Sequence, residues 1–221
     1  MQTVLITGIG KGIGKALAEK FLKEGFSVIG SFFSGEAPKN EKLLAHPLDL
    51  SKPESINHFI EEITRLGKRI DILINNAGII ADEEETKVVP EKLRKTLEVN
   101  LIGTIDLTEK LIPLINNSGH IVNISSSAGS LSESIKSHFP GHYPAYKISK
   151  AALNMYTKTL AHRLRDSGIT VSSVHPGWTK TDMGGEEADL TPEEAAEGIY
   201  KLAISKPETG QFWFKGEKMP W

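Results

Sequence analysis

Thr3-Val4-Leu5-Ile6-Thr7-Gly8-Ile9-Gly10-Lys11-Gly12-Ile13-Gly14 comes after only two residues, and its reading decides the fold. A short apolar run ends in a loop with glycine at every second position, and an amphipathic stretch from Gly12 to Lys23 follows at once. Strand, glycine loop and helix in this order form the place where a doubly wound sheet binds a dinucleotide. Residues without a Cβ permit the tight turn and let backbone N–H groups and a helix N-terminus reach a pyrophosphate. Gly8, Gly10, Lys11, Gly12, Ile13 and Gly14 are therefore candidate cofactor contacts.

The alternation continues along the chain. Ser27-Val28-Ile29, Leu43 to Pro47, Ile70 to Ile74, His120 to Ile124, Ile169 to Val174 and Gln211 to Phe214 predict strands, and amphipathic stretches predict helices over about 53–66, 90–115, 146–166 and 191–204. Most of these strands lack polar alternation, which suits a parallel sheet covered on both faces. Thr191-Pro192-Glu193-Glu194 is a capping box with proline at the first helical position, and Ser51-Lys52-Pro53-Glu54 is expected to open a helix similarly. The pattern predicts an α/β fold, a single doubly wound Rossmann-type domain over residues 1–221. Its parallel sheet should have about seven strands, with helices on both faces.

Composition excludes several classes. Hydrophobic residues are 39% and charged residues 24% of 221, ordinary for a globular protein with a sizeable core. The net charge is −2 with acids and bases interleaved, so neither a nucleic-acid nor an anionic-membrane partner is expected. There is no cysteine, which removes disulfides and thiol nucleophiles, and the seven histidines show no metal-ligand spacing, so no metal is expected. No run approaches membrane-spanning length and no leader pattern precedes Thr3, so a cytoplasmic location is expected.

The spacing Thr-Gly-x-x-x-Gly-x-Gly, met by Gly8, Gly12 and Gly14, resembles the short-chain dehydrogenase/reductase family. Asn75-Asn76-Ala77-Gly78 follows the fourth strand, where that family places a segment beside the adenosine. His175-Pro176-Gly177-Trp178-Thr179-Lys180-Thr181-Asp182-Met183 looks like the family's segment beside the nicotinamide carboxamide. The resemblance implies cofactor contacts from Asn76, Ala77, Gly78, Pro176, Gly177, Trp178 and Thr179, with Asp49 and Leu50 after the third strand. It runs from Thr3 to about Gly216. The string from His175 to Gly185, with Gly210-Gln211-Phe212 and Pro220-Trp221, looks most like the small carbonyl-reductase-like branch.

Tyr146 and Lys150, at i and i+4 of a predicted helix, project from one helical face. A nearby ammonium favours phenolate over phenol and would bring a tyrosine toward proton exchange at neutral pH. Ser126 lies at the C-terminal end of the preceding strand, the edge where open α/β sheets bind ligands. The resemblance makes Tyr146 the proton donor and acceptor, Lys150 a ligand of the nicotinamide ribose, and Ser126 a donor to the substrate oxygen. Ser125 and Ser127 compete for the serine role. Asn100 matches the family's fourth catalytic residue, a helix-distorting side chain that holds a water leading to the lysine.

The implied activity is hydride transfer between NAD(P) and a small-molecule carbonyl or alcohol. A dinucleotide-bound regulator or redox sensor would not need Tyr146, Lys150 and Ser126 together. A nucleotide-sugar epimerase or dehydratase generally needs a larger C-terminal part than the residues after Lys150 provide. Cofactor choice turns on the end of the second strand, where an acid would repel a 2′-phosphate. Ser31-Phe32-Phe33-Ser34 carries none, and Lys11 could pair with the phosphate, so NADP(H) is expected. Glu36, a few residues on, leaves NAD(H) open. Two departures from the family stand out. Leu131 to His142 is an extra stretch before Tyr146, near a surface many relatives use to oligomerise, which leaves a homo-oligomer open. The segment from Gly184 to Leu190 is a short lid, which predicts a relatively open substrate site.

Overall fold

The computed structural model describes residues 1–34, 37, 40–132 and 141–221, and it places the first strand, β1 (Thr3–Ile6), in the middle of an eight-stranded sheet. Side chains along the central strands alternate between two cores. Val4, Ile6, Ile72, Ile74, Val122 and Ile124 face one side, while Leu5, Ile70, Leu73 and Ile121 face the other. Both faces are therefore apolar, and each must be covered by helices.

Helix α1 (Gly12–Lys23) covers the first face together with a later helix, α6 (Pro192–Ile204). Between them in sequence come β2 (Ser27–Phe32), β3 (Leu43–Pro47), α2 (Pro53–Arg65), β4 (Ile70–Asn75), α3 (Pro90–Leu97), α4 (Thr104–Leu111), β5 (Ile115–Ile124), α5 (Pro144–Arg163) and β6 (Thr170–Val174). Residues of α2, α4 and α5 fill the second core. The chain ends with β7 (Gln211–Phe214) and β8 (Glu217–Met219).

The strand order is β3-β2-β1-β4-β5-β6-β7-β8, parallel throughout except for the β7–β8 pair. The order reverses between β1 and β4. The crevice beyond their C-terminal ends is where such sheets take ligands. No helix among the described residues is long and apolar enough to cross a membrane.

The structure departs from the sequence expectation at four places. β8 is an eighth strand, antiparallel, reached through Lys215 and Gly216, both with positive φ, as in a two-residue hairpin turn. The helix expected over 90–115 is broken, because Glu98–Gly103 winds as a π-turn between α3 and α4. β5 starts at Ile115 rather than His120, with a register shift against β4 between Ile70 and Ile72. Lys52, not Ser51, precedes α2, and the Ser51 hydroxyl donates to Asp49 instead. The capping box at Thr191 forms as expected.

His120 is buried between β6 and α6, with Nδ1 3.1 Å from the Ala203 carbonyl and Nε2 2.9 Å from the Ser172 hydroxyl. Burial lowers its pKa from 6.5 to about 4. The unfolded chain therefore takes up this proton first as pH falls. The stability contribution is full above about pH 6.5 and is lost toward pH 4, amounting to about 2–3 kcal/mol. Urea unfolding at pH 7 and 4.5 should show a smaller pH-dependent loss for His120→Gln than for the parent; equal losses would refute the assignment.

Candidate active site

The glycine loop is shaped by contacts that admit no side chain. Gly8 and Gly12 have φ of +77° and +55°, and a Cβ on Gly14 would stand 2.0 Å from the Gly8 carbonyl oxygen. Thr7 Oγ1 accepts from the N–H groups of Asn76 and Ala77, at 3.0 Å each. Asn76 Nδ2 donates to the carbonyls of Thr7 and Gly8. Asn76 and Ala77 thus hold the loop from the end of β4. Helix α1 starts with no side-chain cap and no acid in its first turn. Its first N–H donors and positive end suit a pyrophosphate, so the residues present fit a dinucleotide.

The opposite rim is the segment after β6. Gly177 has φ +90°, and a Cβ there would come within 2.4 Å of Leu190. Trp178 Nε1 donates to the Gly184 carbonyl at 2.7 Å, and the backbones of Lys180 and Trp178 pair with Leu190. The short lid is therefore tied shut on itself, with Thr179 buried inside it. Thr181 overhangs the glycine loop, its methyl 3.1 Å from where a Gly12 Cβ would be. Beside it Asp182 and Lys11, both exposed, form an ion pair of 2.6 Å across the groove. Thr181 and Asp182 belong to the same segment as Thr179, and the fold, rather than any local pattern, brings them to Gly12 and Lys11.

Asp49 and Leu50 have local tasks. The Asp49 carboxylate accepts from the hydroxyl and N–H of Ser51 and lies 3.4 Å from Lys52, and these partners, the Ser51 hydroxyl first, hold its pKa below the usual carboxylate range. Leu50 is buried, and its carbonyl oxygen would lie 1.9 Å from a Cβ on Gly103. At the end of β2, Ser31 is buried and its Oγ accepts from Gly8 N–H at 3.3 Å, while Phe33 is 78% exposed. Glu36 and residues 133–140 of the extra stretch lie outside the described residues.

The catalytic candidates converge where β5 meets α5. Lys150 is buried, and its Nζ donates to the Ile124 carbonyl at 2.8 Å and stands 5.5 Å from the centre of the Tyr146 ring. A Cβ on Gly129 would come 2.6 Å from the Lys150 carbonyl carbon, so only glycine lets the serine loop lie this close to the helix. The Ser126 side chain lies close enough to the Tyr146 hydroxyl to favour its phenolate form. The Ser125 hydroxyl faces the Lys150 carbonyl, 3.4 Å away. Ser126, rather than Ser125, thus meets the tyrosine.

Asn100 lies in the π-turn and spends its amide on protein groups. Its Oδ1 accepts from Ile79 N–H at 2.8 Å, and its Nδ2 donates to the Ile79 carbonyl and to Ser149 Oγ. A Cβ on Gly78 would stand 3.2 Å from Asn100 Oδ1 and 3.7 Å from Lys150 Nζ, so the three positions adjoin. Contrary to the expected drift toward phenolate, burial pushes the Tyr146 phenol up to about 12, against the opposing Ser126 contact. Burial also lowers Lys150 to about 8. Desolvation outweighs the Ser126 contact for the phenol and is the cause of the lysine's shift.

A family model described as short chain dehydrogenase matches residues 2–191. The 3-oxoacyl-(acyl-carrier-protein) reductase FabG of Aquifex aeolicus is 37% identical over 218 residues, covering 92% of this chain and 84% of that protein. A short-chain dehydrogenase/reductase from Burkholderia multivorans with bound NADP superposes with a TM-score of 0.89 at 27% identity, covering 100% of this chain and 99% of its own. An NADPH-bound carbonyl reductase from chicken fatty liver superposes at 0.88 with 28% identity and the same coverage.

Proposed function

The chain belongs to the short chain dehydrogenase family, an NAD(P)-dependent oxidoreductase family, and from that premise we propose that it is an NADPH-dependent reductase of small carbonyl compounds. The observation that carries this reading is the meeting of the Tyr146 and Ser126 hydroxyls beside the buried ammonium of Lys150. The reduced nicotinamide, when bound, supplies the hydride.

Tyr146 gives its proton to the carbonyl oxygen as that oxygen gains charge. A phenol held near 12 carries the proton that reduction needs throughout the neutral range. Ser126 donates to the same oxygen, a contact that strengthens as negative charge develops there. Lys150, 5.5 Å from the ring, stabilises the phenolate that proton transfer leaves. Asn100 holds Ile79 and Ser149 and so keeps the π-turn against the helix that carries the tyrosine.

Preference for NADPH rests on two supports. The β2 end offers Ser31, Phe32, Phe33 and Ser34 and no carboxylate to repel a 2′-phosphate, and Lys11 stands in the loop with an exposed ammonium. Asp182 holds that ammonium now, and a phosphate would take its place as the stronger partner. The structures with NADP and NADPH support the same choice. A bound dinucleotide would be held by the glycine loop on one side and by Pro176, Gly177, Trp178 and Thr179 on the other.

Tyr146→Phe should reduce turnover by roughly 10²–10⁴ while leaving NADPH binding near the parent value, since the ring stays and only the transferable proton is removed. Parent-like kcat in that variant would sink the mechanism.

Lys150 carries its ammonium below about pH 8 and loses it above. The kcat/KM for reduction should therefore be level from pH 6 to about 7.5 and decline above about 8, and a profile still rising past pH 9 would contradict this.

Lys11→Ala should raise KM for NADPH roughly tenfold and leave NADH nearly unchanged. Steady-state titration with both cofactors decides this, and an equal rise for the two would remove Lys11 from phosphate recognition.

A further inference from the structure

The helix that carries Tyr146 begins without a cap of its own. Tyr143, which precedes α5, has a left-handed backbone (φ 40°) and gives no capping side-chain hydrogen bond, and Pro144 has no N–H. The first donor of the helix is Ala145 N–H, adjacent to Tyr146. It is bound at 2.6 Å by Oδ2 of Asp82, a residue 63 positions earlier and 1% exposed.

Asp82 closes a short bridge between two parts of the site. The chain leaves β4 through Gly78, is gripped at Ile79 on both N–H and carbonyl by Asn100, and reaches Asp82 three residues later. One end of this bridge is fastened to the π-turn and the other to the start of α5. A buried carboxylate is costly unless compensated. Here the compensation is a charge-assisted bond at the positive end of a helix. Its other oxygen, Oδ1, is buried with no hydrogen-bond partner among the described residues, so the Ala145 bond is the hydrogen bond that holds the carboxylate, with a coulombic attraction from Lys92 beside it. That hydrogen bond fixes the first turn of α5 against the bridge.

We infer that Asp82 is a positioning residue for the reaction: it caps the catalytic helix from a distance and so sets where the Tyr146 hydroxyl stands relative to Ser126. The inference rests on Tyr146 as the proton donor. Displacement of a reacting group by about 1 Å can cost up to about a hundredfold in rate, so a lost cap should appear in kcat rather than in cofactor affinity.

The test compares Asp82→Ala and Asp82→Asn in the full chain, reading kcat and KM with NADPH together with hydrogen exchange at the 145–147 amides. Asp82→Ala should lower kcat about tenfold or more, leave KM for NADPH within about twofold, and speed exchange at those amides. Asp82→Asn keeps an acceptor oxygen and should recover kcat to within about threefold of the parent. Parent-like kcat and exchange in Asp82→Ala would overturn the inference. So would an asparagine variant as impaired as the alanine one, or a parallel loss of NADPH affinity.

Should Asp82→Ala fail to fold, Asp82→Glu takes its place. The longer side chain keeps the charge but shifts the anchor, so kcat should fall with glutamate and hold with asparagine, and the reverse order overturns the inference. Exchange is read without turnover. An unchanged rate in Tyr146→Phe would thus condemn the proton-donor assignment while leaving the capping result to stand on the exchange data.

Discussion

A buried ammonium on a strand-end carbonyl holds the site together. Lys150 Nζ donates to the Ile124 oxygen at 2.8 Å, at the point where β5 gives way to the serine loop. A desolvated cation must find partners, and this bond ties the catalytic helix to the end of β5. Much else depends on that distance. Gly129 lies against the Lys150 backbone where no side chain fits, which brings Ser126 to Tyr146, and Asn154 Nδ2 secures the same loop by donating to the Gly129 carbonyl at 3.3 Å. The same desolvation lowers Lys150 to about 8 and raises Tyr146 to about 12, so the helix presents a protonated phenol beside a cation that titrates near neutrality.

The dinucleotide groove is built in advance by different means. Thr7 and Asn76 lace the glycine loop to the end of β4 by hydrogen bonds of the chain itself. On the facing rim, Trp178 and Leu190 close a short lid, and Lys11 reaches Asp182 across the groove. Such preorganisation lowers the ordering cost of binding. The Lys11–Asp182 pair is exposed and contributes little to stability, which suits a contact that a phosphate replaces.

The fold was legible wherever a local pattern had a single physical reading. Apolar runs that fill both cores marked β1 to β7, and of the glycines that marked the loop Gly8 and Gly12 have positive φ while a Cβ on Gly14 would clash. Tyr146 and Lys150 were legible from helical spacing, because i and i+4 share a face in any helix. What escaped was set at long range. The resemblance at Asn100 implied a distorted helix, but the contacts that accompany the π-turn, Asn100 to Ile79 and Gly103 to the Leu50 carbonyl, are not legible in the 98–103 stretch. Asp82 stands in the acidic run Asp82-Glu83-Glu84-Glu85, where nothing local separates a buried cap from solvated neighbours. The upward direction of the tyrosine shift was not legible, because spacing reveals the neighbouring cation but not the burial that raises the phenol.

The most direct test of the central claim is the stoichiometry of NADPH consumption against carbonyl reduction over a panel of aldehydes, ketones and quinones, with NADH run in parallel. The account predicts one NADPH oxidised per carbonyl converted to alcohol for at least one member of the panel, faster with NADPH than with NADH. Folded protein that binds NADPH yet oxidises none of it above background with any member of the panel would contradict it.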